Sequence, residues 1–150
     1  MNAPISHGKE LEYNDILLVP QESYLDSRSD ADTRITIGDF DFHLPVVPAN
    51  METVINLEVA KILDAAGYFY VMHRFDDIFK TLQYMHHNKF RCKSISVGVN
   101  QDTYNALDKI LDTGYFIDIV TVDVAHGHHI KAENMVRYIK SRFPEATIIA

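Results

Sequence analysis

Short apolar runs of β character alternate along most of this chain with stretches of helical period, at a spacing of about 25 residues. The runs Tyr68–Met72, Ser94–Val99, Phe116–Val122 and Thr147–Ala150 read as buried strands, and the Leu44–Pro48 run as a first, shorter one. Between them, Val59, Ile62, Leu63 and Ala66 share one helical face, with Asn56 as N-cap and Gly67 just past the end. Ile78, Phe79, Leu82 and Met85 mark a second helix capped by Asp76. Tyr104, Leu107, Ile110 and Leu111 mark a third, closed by Gly114; Met135, Tyr138, Ile139 and Phe143 mark a fourth, ended by Pro144. Strand-then-helix units of this length predict a parallel α/β sheet with right-handed crossovers.

Two architectures fit the alternation. A doubly wound sheet closes with five strands, whereas a (β/α)8 barrel needs about 200 to 250 residues. The 150 residues favour the first. The final apolar run, with nothing after it to cover one face, favours the second. The expectation is therefore the N-terminal half of a (β/α)8 barrel: a leading segment over residues 1–43, then a partial barrel over 44–150 with four βα units and the start of strand five. Its open edges, at Val46-Val47 and Ile148-Ile149, predict that the isolated chain self-associates. Within the leading segment, Arg34–Ile37 and Phe40–Phe42 alternate around Gly38-Asp39 as a hairpin.

Composition narrows the class of function. A formal net charge of −7 disfavours a general nucleic-acid binder while leaving room for a local anion site. No apolar run approaches the roughly 20 residues of a membrane span, and Met1 to Lys9 carries no apolar secretory core. A lone cysteine, Cys92, fits a reducing compartment, so a cytoplasmic location is expected.

In either architecture, ligands bind where the parallel strands end. Those ends carry Ala49-Asn50-Met51, His73-Arg74, Gly98-Val99-Asn100 and Asp123-Val124-Ala125-His126-Gly127-His128-His129. Asp123 emerges from an apolar run, placed to accept hydrogen bonds from a ribose or amide, or to cap the next helix. Arg74 suits a phosphate or a base face, or an ion pair with Asp76 or Asp77. Met51 suits an apolar wall or plain core. Gly127 serves a close ligand approach or a simple turn. His126, His128 and His129 lack the companion carboxylate or cysteine spacing of a metal site, and no metal is expected. The pair His86-His87 reads as a solvated helix end. Cys92 lies at the opposite end of its strand, a poor place for a nucleophile.

Taken in order, Tyr13–Pro20, Ser27-Arg28-Ser29, Pro45–Val54, Tyr70–Phe75 and Asp123–His128 resemble the IMP dehydrogenase/GMP reductase family of (β/α)8 barrels, from about Leu11 to Ala150. The short Met85–Lys93 link leaves no space for the regulatory domain that most of the dehydrogenases insert there. Val124-Ala125-His126 stands where they tend to carry serines. Both features favour the reductase branch. The resemblance implies NADPH-dependent reductive deamination of GMP to IMP with loss of ammonia, through a cysteine thioimidate at purine C2. It places Met51 near the purine, and Asp123, Val124, Ala125 and Arg74 near the cofactor. Ser27 and Arg28 would reach the cofactor of a neighbouring subunit in a homotetramer. His129 departs from the small polar residue usual at its position. The family's catalytic cysteine loop, after strand six, is not among these residues, and Cys92 does not match it, so no catalysis is expected from this chain alone. The alternatives are a dehydrogenase without its insert and a non-catalytic half-barrel that binds nucleotide or other subunits.

Overall fold

The computed structural model describes residues 12–150, in two compact units divided between Asp32 and Thr33. The first unit contains two single 3-10 turns, Tyr13–Asp15 and Arg28–Asp30. Acidic side chains hold each turn from within: Asp15 accepts the Glu12 N–H at 3.0 Å and Asp30 accepts the Ser27 N–H at 2.9 Å.

The second unit opens with the expected hairpin, β1 (Ile35–Ile37) and β2 (Phe40–Phe42), antiparallel with Ile35 opposite Phe42. Gly38 turns the chain at φ +58°. A Cβ built there would stand 2.2 Å from Thr147 Oγ1 and 3.2 Å from Thr147 Cβ. Backbone conformation and space therefore both demand glycine. Gly38→Ala is expected to lower stability by about 1–3 kcal/mol. In thermal unfolding, Thr147→Ala in the same chain should recover part of that loss; no loss in the single variant would contradict the packing.

Helices α1 (Leu57–Ala65), α2 (Ile78–His87), α3 (Gln101–Leu111) and α4 (Ile130–Arg142) alternate with strands β3 (Ser94–Val97), β4 (Ile119–Val122) and β5 (Thr147–Ile149). The strands form one parallel sheet in the order β3-β4-β5, Ile95 beside Val120 and Val120 beside Ile148. Asn56 caps α1 by accepting the Val59 N–H at 2.9 Å, and Gly67 leaves the helix at φ +75°. Alternation along the strands then sorts two cores. Ile95, Val97, Val120 and Val122 pack with Leu82, Leu107, Met135 and Ile139 of the helices. On the other face Ile119 joins Phe42, Phe69, Val71 and Cys92, and the hairpin plugs that face near the strand starts. With that end plugged, the strand tips are left for ligands.

Polar groups brace the plugged end. Buried Asp64, on α1, accepts the N–H groups of Arg91 at 2.6 Å and Cys92 at 2.9 Å. Asp118 accepts the Lys93 N–H at 2.7 Å, while the Lys93 ammonium donates to the Phe90 carbonyl at 2.9 Å. Each group takes up backbone hydrogen-bonding capacity just outside the ladder, where burial makes an unmet donor costly.

Three expectations need correction. Leu44–Pro48 forms no strand: Pro45 and Pro48 have no N–H to donate, and Val46 and Val47 are exposed. The edge expected at Val46-Val47 is therefore not a strand edge. The Tyr68–Met72 strand shrinks to a single parallel bridge, Met72 to Ile95, within a buried extended segment. There the Tyr70 hydroxyl, not a ladder N–H, donates to the Cys92 carbonyl. Last, Asp77 rather than Asp76 caps α2, accepting the N–H groups of Phe79 at 2.9 Å and Lys80 at 3.2 Å. The α/β alternation stands, but the described ladder joins three strands.

Candidate functional site

The ladder fixes the first site residue. Beyond β4, the Asp123 N–H still donates to the Val97 carbonyl at 2.9 Å, which holds the aspartate at the strand tip. Arg74 arrives from the neighbouring bridge segment, just after buried His73, whose Nδ1 accepts the Phe75 N–H at 3.3 Å. The two side chains meet: Arg74 Nε donates to Asp123 Oδ2 at 3.1 Å. Each is about one-third exposed, at 36% and 35%, so water screens the pair and its contribution to stability is small. Its consequence is orientation. With Nε engaged, the guanidinium plane is fixed and its remaining N–H groups are left for a ligand.

Arg74 and Asp123 line a cleft of about 360 Å³ together with Gly98, Asn100, Val124 and Ala125. Gly98 lines the cleft beside Arg74; a Cβ there would make ordinary contacts of 3.7 Å with Arg74 Nη1 and Thr103 Oγ1. The carboxylate can accept hydrogen bonds from a ligand, the guanidinium can meet an anion, and Val124 and Ala125 offer a small apolar wall. These groups are compatible with the nicotinamide dinucleotide that the family resemblance implies.

Of the residues singled out from sequence, the structure gathers Arg74, Asp123, Val124 and Ala125 in this one cleft. Arg74 pairs with Asp123 and not with Asp76 or Asp77. Met51 is not among the cleft residues; it is 53% exposed, in a turn where its carbonyl accepts from Val54 and Ile55. Ser27 and Arg28 belong to the first unit, in its second 3-10 turn. Gly127 does not take a positive φ. His129 caps α4, its Nδ1 accepting the Lys131 N–H at 3.0 Å. That cap accounts for an imidazole where a small polar residue was expected. No cluster of three or more metal-ligating side chains occurs among the described residues.

His86 is not a solvated helix end. Its ring stacks on Tyr115 at 4.7 Å and its Nε2 lies 2.8 Å from the Phe116 carbonyl, stitching α2 to the approach to β4. Cys92 is fully buried, and burial together with the Asp118 and Asp64 carboxylates pushes its thiol up to about 12. It is no nucleophile at neutral pH. Lys131, not among the residues expected from the sequence, also lines the cleft, from the first turn of α4. Its signal is position alone: a cation just inside the helix that follows a strand tip.

A parallel α/β domain with its ion pair and cleft at the strand tips defines the general class, one that binds a ligand at the C-terminal ends of its strands. The particular family follows from comparison: residues 10–150 match the IMP dehydrogenase / GMP reductase domain, and the chain belongs to that family. It is 42% identical to a GMP reductase of Pediococcus pentosaceus over 147 residues, 95% of this chain and 44% of that protein. A GMP reductase of Acidovorax sp. is also 42% identical, over 93% of this chain and 43% of its own length. The crystal structure of inosine 5′ monophosphate dehydrogenase from Legionella pneumophila superposes with a TM-score of 0.73 at 26% identity, covering 93% of this chain and 43% of that one. The chain thus spans less than half the length of these relatives.

Proposed function

We propose that this chain is the N-terminal part of a (β/α)8 barrel that reduces GMP to IMP, consuming NADPH and releasing ammonia. The observation that carries this is the Arg74–Asp123 pair at the rim of the cleft, joined to the reductase names of relatives at 42% identity. When bound, NADPH supplies the hydride. Asp123 accepts from its ribose or carboxamide and holds Arg74 in plane. Val124 and Ala125 would bound the nicotinamide and keep water from it, and Met51 would lie near the purine. Ser27 and Arg28 complete the cofactor site of a neighbouring subunit in a homotetramer. The covalent step does not fall to Cys92, which is buried beside the hairpin plug and held protonated.

Val124-Ala125 in the cleft and the short link between α2 and β3 support the reductase over the dehydrogenase, although a dehydrogenase structure superposes with a TM-score of 0.73. The complete protein, given GMP with NADPH in one assay and IMP with NAD in another, should consume NADPH only when GMP is present. NAD reduction that depends on IMP, without the GMP reaction, would overturn the assignment.

A further inference from the structure

The chain between the Met72–Ile95 bridge and α2 is anchored at both ends, by Met72 in the sheet and by Asp77 as the cap of α2. His73 lies between these anchors with its side chain only 2% exposed. Burying an imidazole where an apolar side chain could pack costs free energy unless its nitrogens find partners. Nδ1 has one, accepting the Phe75 N–H at 3.3 Å. A ring nitrogen that accepts carries no proton, so the imidazole N–H sits on Nε2. Nε2 is 3.6 Å from Asp76 Oδ2, beyond hydrogen-bond reach. The bond to Phe75 is therefore the specific one.

Phe75 carries its effect to Arg74. The phenyl ring is 60% exposed, so core packing does not hold it. It lies instead against the His73 ring, with centroids 5.9 Å apart, and the Arg74 guanidinium lies over it at 4.9 Å from the centroid. A planar guanidinium is attracted to an aromatic face. Arg74 thus has two supports, Asp123 at its Nε and Phe75 at its face. His73 itself is not among the residues lining the cleft.

We propose that His73 is a positioning residue for Arg74: it pins the Phe75 amide, the pinned ring backs the guanidinium, and Arg74 keeps its Nε on Asp123. It acts through Phe75 and Arg74 without touching the ligand. The effect on turnover rests on the cofactor reading above, whereas the pinned amide does not.

The test uses variants of the complete protein assayed with GMP and NADPH. His73→Leu removes the acceptor and should lower kcat/KM for NADPH about tenfold, mainly through KM, since a loosened Arg74 weakens binding. His73→Asn should stay within about threefold of wild type, because its Oδ1 stands where Nδ1 stood and accepts the same N–H. Phe75→Ala, a change at an exposed residue, should lower kcat/KM at least about threefold, whether or not His73→Leu folds. In an Arg74→Gln background, His73→Leu should change kcat/KM less than about twofold, since the residue it positions is gone.

An undiminished tenfold loss in the Arg74→Gln background would overturn the proposal. So would a His73→Asn protein as impaired as His73→Leu, or wild-type kinetics in Phe75→Ala. Hydrogen exchange at the Phe75 amide separates the pinning from the cofactor reading. That amide should exchange at least about tenfold more slowly than in the unfolded chain, in wild type and His73→Asn alike, and His73→Leu should lose the protection. This exchange pattern in a protein that does not oxidise NADPH would support the pinning and overturn the cofactor reading. An unprotected Phe75 amide in a wild-type protein that does oxidise NADPH would overturn the pinning alone.

Discussion

Under the proposed NADPH-dependent reaction, Asp123→Ala in the complete protein is expected to lower kcat/KM for NADPH by a factor of about 100 or more. Two losses combine. The substitution removes an acceptor pinned at the strand tip by the hydrogen bond from its own N–H to Val97, and it releases Arg74 from the 3.1 Å contact that fixes its plane. A carboxylate hydrogen bond to a ligand contributes about 1.5–3 kcal/mol, and misplacing a reactant by about 1 Å costs about 100-fold on its own. Stability should hardly change, because the pair is one-third exposed. Cys92→Ala should do the reverse, leaving turnover near wild type while lowering the unfolding midpoint, since it opens a void in a site of zero exposure. Steady-state kinetics and thermal melts of the two variants check the pair of outcomes. A Cys92→Ala protein that is folded and inactive would place chemistry at the wrong end of the sheet.

That division between strand tips and strand starts was legible in the sequence wherever a local rule governs. Asn56 is followed by an apolar 3.6-residue period, so the cap and face of α1 could be read directly. Asp123 stands directly after the β-branched run Ile119–Val122, which puts it at a tip whatever the sheet closes into. Val124 and Ala125 follow it into the cleft for the same reason. The Arg74–Asp123 pair was not legible as a pair, since 49 residues separate its members and it takes the Met72–Ile95 bridge and the β3–β4 pairing to bring them together.

Non-local polar partners account for most of the rest. Asp64 looks like an ordinary helix carboxylate, yet it reaches two N–H groups 27 and 28 residues on. His86 looks like a dipole-friendly helix end, yet Tyr115 and Phe116 arrive beside it from the segment between α3 and β4. Asp76 and Asp77 differ by one residue as caps, and the choice lies in backbone angles that neither side chain reveals. Asp77 adopts the extended N-cap conformation, while Asp76 faces His73 at 3.6 Å. The Leu44–Pro48 run has the apolar content of a strand, but its two prolines cannot donate to a ladder.

High pH is expected to unfold this chain through the plugged end. Cys92 has its pKa pushed up to about 12 by burial and by the carboxylates of Asp118 and Asp64. The Tyr70 phenol, whose hydroxyl donates to the Cys92 carbonyl, is raised too, first by burial and then by Asp64. Both groups bind their protons more tightly folded than unfolded. Their contribution is therefore complete below the unfolded thiol pKa near 9.0 and is lost as pH rises from there toward the folded value. For Cys92 alone the full loss is about 4 kcal/mol, a large share of the 5–15 kcal/mol that typically holds a domain. Urea midpoints should hold steady from pH 7 to about pH 8.5 and then fall steeply. The variant Cys92→Ala starts from a lower midpoint because of its void, but its alkaline fall should be shallower, since one of the two ionisations is gone. Thiol labelling gives an independent reading: the native thiol at pH 8 should react about a thousandfold more slowly than in denaturant, in proportion to its thiolate fraction. An alkaline fall of equal steepness in wild type and Cys92→Ala would mean that the thiol ionises as freely in the folded chain as in the unfolded one. The packing of Phe42, Phe69 and Ile119 around Cys92 would then not seal that end of the sheet from water.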